Sequence, residues 1–450
     1  MKSCGTDSSD KGFPASMTLT RHLPWFIVLF AFALTGCSAE FQPSNSGQEA
    51  DLMLYRSVLD RVRSSYVDPV SDGRLIDNSL KGMLTGLDPH SDYMSEQEYQ
   101  EMQDDSAGEF AGIGAELTRD DSHPVVISPI DDTPAARAGI QAGDIILRID
   151  GEVTDGMSLK DVVGALRGPA DTTVKITVAR KSEAPFDVTL TRAIIKVDSV
   201  KSQLEANGVG YVRISTFTET TQREVSHAID DLKSKSDGHL QGFVLDLRND
   251  PGGLLDQAVH VSGDFLDGGT TVSIRGRAPD DNHIFPAPPG GDRIKGVPMV
   301  VLINGASASA AEIVAGALQD RQRALVLGTQ SFGKGSVQTI IPLDGHGALR
   351  LTTARYYTPN GRSIQGKGIT PDRIVEQPKS AKAVQAEIVR EADLPGALEA
   401  ESKDGAGNAA TTVRTETIIE SAAIGTSDDY QLQAALDDLS RRHAQVSGNR

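Results

Sequence analysis

Hydrophobic and polar positions follow three different rhythms along the chain. From 49 to 66 apolar residues fall at Leu52, Tyr55, Leu59, Val62 and Tyr66, a helical period that Asp68-Pro69 ends. Leu75, Ile76, Leu80, Met83, Leu84 and Leu87 predict a second amphipathic helix, stopped by Asp88-Pro89. Together they predict a helical N-terminal segment over 49–107, a small unit whose apolar faces need partners. From 108 to 195 the rhythm shortens. Strand-like runs at 125–127, 145–149 and 174–178, with short helical pieces at 134–138 and 158–166, predict a small β-rich module. Over 196–378 apolar strands at 211–214, 243–247 and 299–303 alternate with helices at 218–234, 254–265 and 309–319, the pattern of an α/β core. The stretch 278–291, rich in Pro, Gly and Asp, reads as a surface loop. Beyond 378 large apolar residues thin out. Residues 379–450 read as a mobile tail, with a candidate final helix at 430–441 through Leu432, Leu436 and Leu439. The whole is a multidomain α/β chain.

One apolar run stands apart. Residues 23–34, LPWFIVLFAFAL, are too few to span a bilayer core of about 30 Å comfortably, and Arg21 and His22 precede them. Residues 1–37 therefore read as a secretory signal. Its border, Leu34-Thr35-Gly36-Cys37, resembles the lipobox of bacterial lipoproteins. That resemblance implies cleavage before Cys37 and lipid attachment to it; a plain signal peptide or an uncleaved anchor is the alternative. Residues 38–48 follow as a polar tether. The expected address is exported and periplasmic, lipid-anchored to the outer or inner membrane. Composition narrows the chemistry. With 44 Lys and Arg against 62 Asp and Glu, the 450-residue chain carries a formal charge of -18. It lacks the basic balance that nucleic-acid binding needs. Two cysteines exclude a disulfide scaffold and a zinc site built from several thiolates.

Three motifs carry chemistry. Asn304-Gly305-Ala306-Ser307-Ala308-Ser309-Ala310-Ala311-Glu312 links an apolar strand to an apolar helix. Ser309 then lies at a helix N-terminus, where free N–H groups and the dipole favour a developing oxyanion. Ser307 is a rival nucleophile, and a helix-capping serine is the plain alternative. Gly328-Thr329-Gln330-Ser331-Phe332-Gly333-Lys334 matches most of a phosphate-binding loop, but Gly335 stands where Ser or Thr must hold Mg²⁺. A β-branched run with Pro342 follows it in place of a helix, which argues against a nucleotide site. Lys334 suits a general base instead. Its pKa must fall from about 10.4 toward neutrality, and a fall of about three pH units costs about 4 kcal/mol. Phe332 and Val337 supply apolar surroundings, no acid stands in 329–343, and Gln338 can bond the amine without adding charge. A Ser–Lys pair needs no histidine, and none of the nine sits in a hydrolase elbow or zinc-protease motif. The third motif, Leu245-Asp246-Leu247-Arg248-Asn249-Asp250-Pro251-Gly252-Gly253, ends a strand in a glycine pair. It reads either as a tight turn or as an oxyanion donor opposite Ser309.

With these motifs in this order, the chain resembles the carboxyl-terminal processing peptidases, bacterial tail-specific serine proteases with a Ser–Lys dyad. The resemblance runs over about 55–375. It includes Tyr66-Val67-Asp68-Pro69, Leu87-Asp88-Pro89-His90-Ser91 and Gly112-Ile113-Gly114, and a run from Ser128-Pro129-Ile130 to Gly151 similar to a PDZ domain. The resemblance implies a crotonase-like protease core over 196–378 and a PDZ-like peptide-binding module over 108–195. It implies Ser309 as nucleophile, Lys334 as general base and Gln338 as the residue orienting it. The backbone N–H groups of Gly253 and Ala310 become the oxyanion hole. Glu312 and Asp320 become structural supports. Gly112, Ile113 and Gly114 become the loop that takes a terminal carboxylate. Arg137 is either a sensor of bound peptide or an exposed helix residue. Ala311 stands where relatives often carry Ser, away from the catalytic positions. The implied protein is a serine endopeptidase of the bacterial cell envelope that takes the C-terminal tails of protein substrates and needs no cofactor or metal. A homo-oligomer or a substrate-delivering adaptor would fit it. The alternative is a PDZ scaffold with an inactive protease core.

Overall fold

The computed structural model describes residues 46–120, 123–130, 132–181, 183–379, 383–400, 414–419 and 423–448. The signal segment, Cys37 and most of the tether lie outside them. The helix Ser46–Ser65 belongs to one compact unit and everything from Val70 onward to a second. The two amphipathic helices expected to form one small unit are therefore divided between the two. Leu52, Met53, Leu54 and Val58 of the first helix are exposed. The second, Asp72–Thr85, starts on Ser71, whose hydroxyl accepts the Arg74 N–H. A third helix, Glu96–Ala107, was not expected. Ser95 and Glu98 cap its start reciprocally, and Gly108 at φ 76 ends it in the left-handed region.

The module that follows is a sheet in the order Ala115–Asp120, His123–Pro129, Ile145–Ile149, Thr173–Ala179, Phe186–Thr191. Val126, Ile146, Ile149, Val174, Ile176 and Val178 alternate onto one face and pack with Val162 and Leu166 of the helix Leu159–Leu166. The strand Ala115–Asp120 stands at the edge of this sheet, leaving one side open for an added strand.

The large core is a six-stranded sheet in the order Val200–Leu204, Val209–Ile214, Gly242–Asp246, Met299–Ile303, Leu325–Gly328, Arg373–Ile374. All its pairs are parallel except the first. Both faces are covered, so the central strands read as unbroken apolar runs. Phe243, Leu245, Val301 and Ile303 pack against the helices Thr221–Lys235, Leu255–Gly263 and Ala310–Asp320. On the other face, Val244, Val300, Leu302 and Leu327 meet Leu432, Ala435, Leu436 and Leu439.

Those last residues correct the picture of a mobile tail. The helix Tyr430–Gly448 is the only cover found for that face among the described residues. Its buried apolar positions are Leu432, Ala434, Ala435, Leu436 and Leu439, a short stripe of small and medium side chains. The described helix Tyr430–Gly448 thus packs on the sheet of the core. The stretch 278–291 also differs from a plain loop, because His283–Pro286 pairs with Thr270–Gly276 in a second sheet. That sheet also holds Asp92–Met94, Ala348–Tyr357 and Ser336–Pro342.

Candidate active site

The three motifs follow the carboxyl ends of three adjacent parallel strands, Gly242–Asp246, Met299–Ile303 and Leu325–Gly328. That is where open α/β sheets place their sites. Ser309 occupies the N-cap position of Ala310–Asp320 with no side-chain cap hydrogen bond, at φ 52 and ψ -112. A non-glycine residue with positive φ is strained, and here the strain presents the side chain at a sharp strand-to-helix turn. Ser307 is spent on structure. Its buried hydroxyl donates to the Leu247 carbonyl at 2.7 Å and accepts the Asn304 N–H at 2.9 Å.

The glycine pair lies directly against Ser309. A Cβ on Gly252 would stand 2.8 Å from the Ser309 Cβ and 2.9 Å from the Ala310 nitrogen. A Cβ on Gly253 would stand 2.1 Å from the Phe217 carbonyl oxygen. The backbone reaches the site only because both side chains are missing. Phe217 and Gly253 form an isolated parallel bridge, closed by Leu254 N–H to Phe217 C=O at 2.9 Å. The N–H groups of Gly253 and Ala310 have no hydrogen-bond partner among the described residues. These are the two expected oxyanion donors.

Glu312 joins the Ser309 turn to the Lys334 loop. Its buried carboxylate accepts the Ser309 N–H at 2.8 Å, the Lys334 N–H at 2.9 Å, the Gly333 N–H at 2.7 Å and the Ser331 hydroxyl at 2.5 Å. Burial pushes its carboxyl up to about 7 against the pull of those four donors. Glu312 thus bonds the backbone on both sides of the site, a link to Lys334 that no local sequence feature marks. Asp320 is a support farther off: it pairs with Arg362 and accepts the Asn360 N–H at 2.9 Å.

Burial holds the Lys334 amine below the ordinary lysine range. Arg350 acts in the same direction, while Glu391, Glu312 and Asp88 oppose it. The absence of acids within 329–343 is therefore only a local property, since three carboxylates reach the lysine from other elements. Gln338 Nε2 donates to Ser336 Oγ at 3.0 Å and to Thr352 Oγ1 at 3.2 Å. These bonds fix the amide and leave its oxygen uncommitted among the described residues. His90 and Glu391 also enter this neighbourhood. His90 came with a quoted motif that carried no assigned role, and Glu391 gave no sequence signal.

In the β-rich module, Gly112, Ile113 and Gly114 line a groove of about 670 Å³ with Ala115, Leu117, Val163 and Leu166. The groove lies beside the open edge strand. Arg137 is exposed and donates to the Asp132 carbonyl at 2.7 Å, the plain alternative for that residue.

Asp250, in the turn before Gly252, yields a stability prediction. Its buried Oδ1 accepts the Gly252 N–H at 2.8 Å and its Oδ2 has no partner among the described residues. Burial pushes this carboxyl well above the usual range. The folded state keeps a proton that the unfolded chain releases, so stability falls as pH rises from about 3.9 through the raised pKa. Asp250→Asn is expected to stabilise the protein by more than about 1 kcal/mol at pH 8 and to match wild type near pH 4. Thermal unfolding across pH checks it; a difference independent of pH would show that Asp250 is not held neutral.

The chain is similar to known proteins. Residues 208–375 match the model of peptidase family S41, and residues 125–180 match that of a PDZ domain. A carboxy-terminal-processing protease of Bartonella bacilliformis is 50% identical over 368 residues, covering 81% of this chain and 84% of the relative. The carboxy-terminal processing protease CtpA of Bacillus subtilis is 34% identical over 342 residues, covering 76% and 72%. Among solved structures, a photosystem II D1 C-terminal processing protease aligns with a TM-score of 0.45 at 30% identity, covering 74% of this chain and 94% of that one. A PDZ domain joined to an S41 core defines a serine-type peptidase. The chain belongs to the carboxy-terminal-processing proteases of family S41.

Proposed function

We propose that this protein is an exported endopeptidase that holds the C-terminal tail of a protein substrate in its PDZ groove and cleaves by a Ser309–Lys334 acyl-enzyme mechanism. The observation that carries the reading is the Glu312 carboxylate, which bonds the backbone N–H of Ser309 and of Lys334 at once. Nucleophile and base loops thereby share one rigid anchor.

In this mechanism neutral Lys334 takes the Ser309 proton as Oγ attacks a peptide carbonyl. The oxyanion forms between the N–H groups of Gly253 and Ala310, where one such donor is worth about 10²–10³ in turnover. The ammonium of Lys334 returns the proton to the leaving amine, and the acyl-enzyme remains. Water, deprotonated by the same lysine, then releases the acyl group. Gln338 holds the amine in line through the amide oxygen left free by its bonds to Ser336 and Thr352. Upstream, the tail adds as a strand to Ala115–Asp120, and its carboxylate meets the backbone of 112–114. Lipid on Cys37 keeps the enzyme at the envelope membrane surface where exported substrates pass.

Tail recognition is tested with an unstructured protein presented with a free apolar C-terminus and with the same terminus amidated. Amidation is expected to raise KM at least about tenfold, because it removes the charge that the groove loop receives. Equal KM for the two substrates would remove the tail-binding role from the PDZ groove.

A further inference from the structure

Lys334 lies in a loop without regular structure, so other elements must hold it in place. Glu312 is one holder. The flanking Phe332 and Gly335 are held by residues distant in sequence. The Glu391 N–H donates to the Phe332 carbonyl at 3.2 Å, and Gln365 Oε1 accepts the Gly335 N–H at 3.0 Å. The two holders are joined, since Gln365 Nε2 donates to Glu391 Oε1 at 2.8 Å. The other carboxylate oxygen, Oε2, meets His90 Nε2 at 2.7 Å. The Glu391 side chain is fully buried and that of His90 is mostly so. The His90 backbone is itself anchored, because its main-chain N–H donates to Asp88 Oδ1 at 2.8 Å. Asp88 also accepts the hydroxyls of Ser91 and of Thr352, and Thr352 accepts from Gln338.

We propose that Glu391, paired with His90, is a positioning residue for Lys334. The C-terminal segment supplies a buried carboxylate, and the turn 87–91 supplies its partner. Together with Gln365 they brace the base loop through bonds that Glu312 does not make. Glu391 lies beyond the matched S41 region, which ends at residue 375. The proposal rests on the reading of Lys334 as the general base.

A buried carboxylate at this place has two separable effects. Its hydrogen bonds hold Gln365, which in turn accepts the Gly335 N–H of the loop, and its negative charge favours the protonated lysine. The charged groups facing Lys334 are Glu391, Glu312, Asp88 and Arg350, and Glu391 is the strongest of those that raise it. A base needs the neutral amine, so a neutral isostere here should widen the active range on the acid side. Loss of the whole side chain should leave His90 and Gln365 without their shared acceptor and loosen the loop. Misplacement of a reacting group by about 1 Å costs about a hundredfold in rate.

The test compares pH profiles of kcat and kcat/KM for the full chain with Glu391→Gln, Glu391→Ala and His90→Ala, alongside Ser309→Ala and Lys334→Ala. Glu391→Gln is expected to keep kcat within about threefold and to move the acid limb down by about one pH unit. Glu391→Ala and His90→Ala are expected to lower kcat tenfold to a hundredfold with KM nearly unchanged. An acid limb in Glu391→Gln that coincides with wild type overturns the proposal, even if the alanine variants fail to fold. Full activity of Lys334→Ala overturns the dyad reading itself and is told apart by that variant alone.

Discussion

Ser309→Ala is expected to lower peptide-bond hydrolysis by about 10⁴-fold or more, and Lys334→Ala by a similar factor. The double variant should lose no more than either single one, because attack needs hydroxyl and amine together. Both variants should unfold near the wild-type temperature. Ser309→Ala keeps the Cβ that packs against Gly252, and the backbone bonds of Glu312 to both residues remain. Lys334→Arg should not rescue activity, since a guanidinium stays protonated at any working pH. The residual rate would come from the donors at Gly253 and Ala310. Full loss in Ser307→Ala with retention in Ser309→Ala would reverse the assignment of the two serines. Ser307 bonds the Leu247 carbonyl, so its alanine variant is expected to cost stability first.

The second large effect concerns stability. Asp429→Ala is expected to destabilise the protein by about 3–5 kcal/mol, seen as a fall in Tm of roughly 10 °C. Arg248 is completely buried, and two carboxylates hold it. Asp429 accepts from its NH1 at 2.8 Å and from its NH2 at 2.6 Å. Asp246 accepts from Nε at 2.9 Å and from NH2 at 2.5 Å, and the Tyr211 hydroxyl donates to Asp246 at 2.8 Å. Removing Asp429 takes one of two charge partners and two hydrogen bonds from a buried guanidinium, leaving Asp246 and the Gln431 amide oxygen to hold it. The damage should reach activity as well, because Arg248 stands just before the turn that ends in Gly252 and Gly253. A Tm change of less than about 2 °C would mean that the network contributes little.

The chemistry was more legible than the scaffold that aims it. Ser309, Lys334 and the glycine pair stand in short motifs that each also read as a helix cap, a phosphate loop or a tight turn, and it is their order along the chain that carries the resemblance. Strands buried on both faces, such as Met299–Ile303, read directly as apolar runs. The helix Glu96–Ala107 escaped because only Tyr99 and Met102 mark its apolar side. Its signals were local ones, the Ser95–Glu98 capping box and the closing Gly108. The C-terminal helix was faint for another reason. Its contribution depends on a sheet face formed by residues far earlier in the chain, such as Val244. Glu391 and Asp429 are single acids in a polar stretch, and nothing local separates them from their exposed neighbours. Burial alone gives them a role, and burial is decided by tertiary packing.

The central claim is that Ser309, activated by Lys334, carries the acyl group. Its most direct test is rapid acid quench during turnover of an activated peptide ester, followed by mass mapping of the acylated residue. The expected result is one acyl group on Ser309 in the wild type, forming at least about a hundredfold more slowly in Lys334→Ala. Acylation of Ser307, or of Ser309 at the same rate without Lys334, would contradict it.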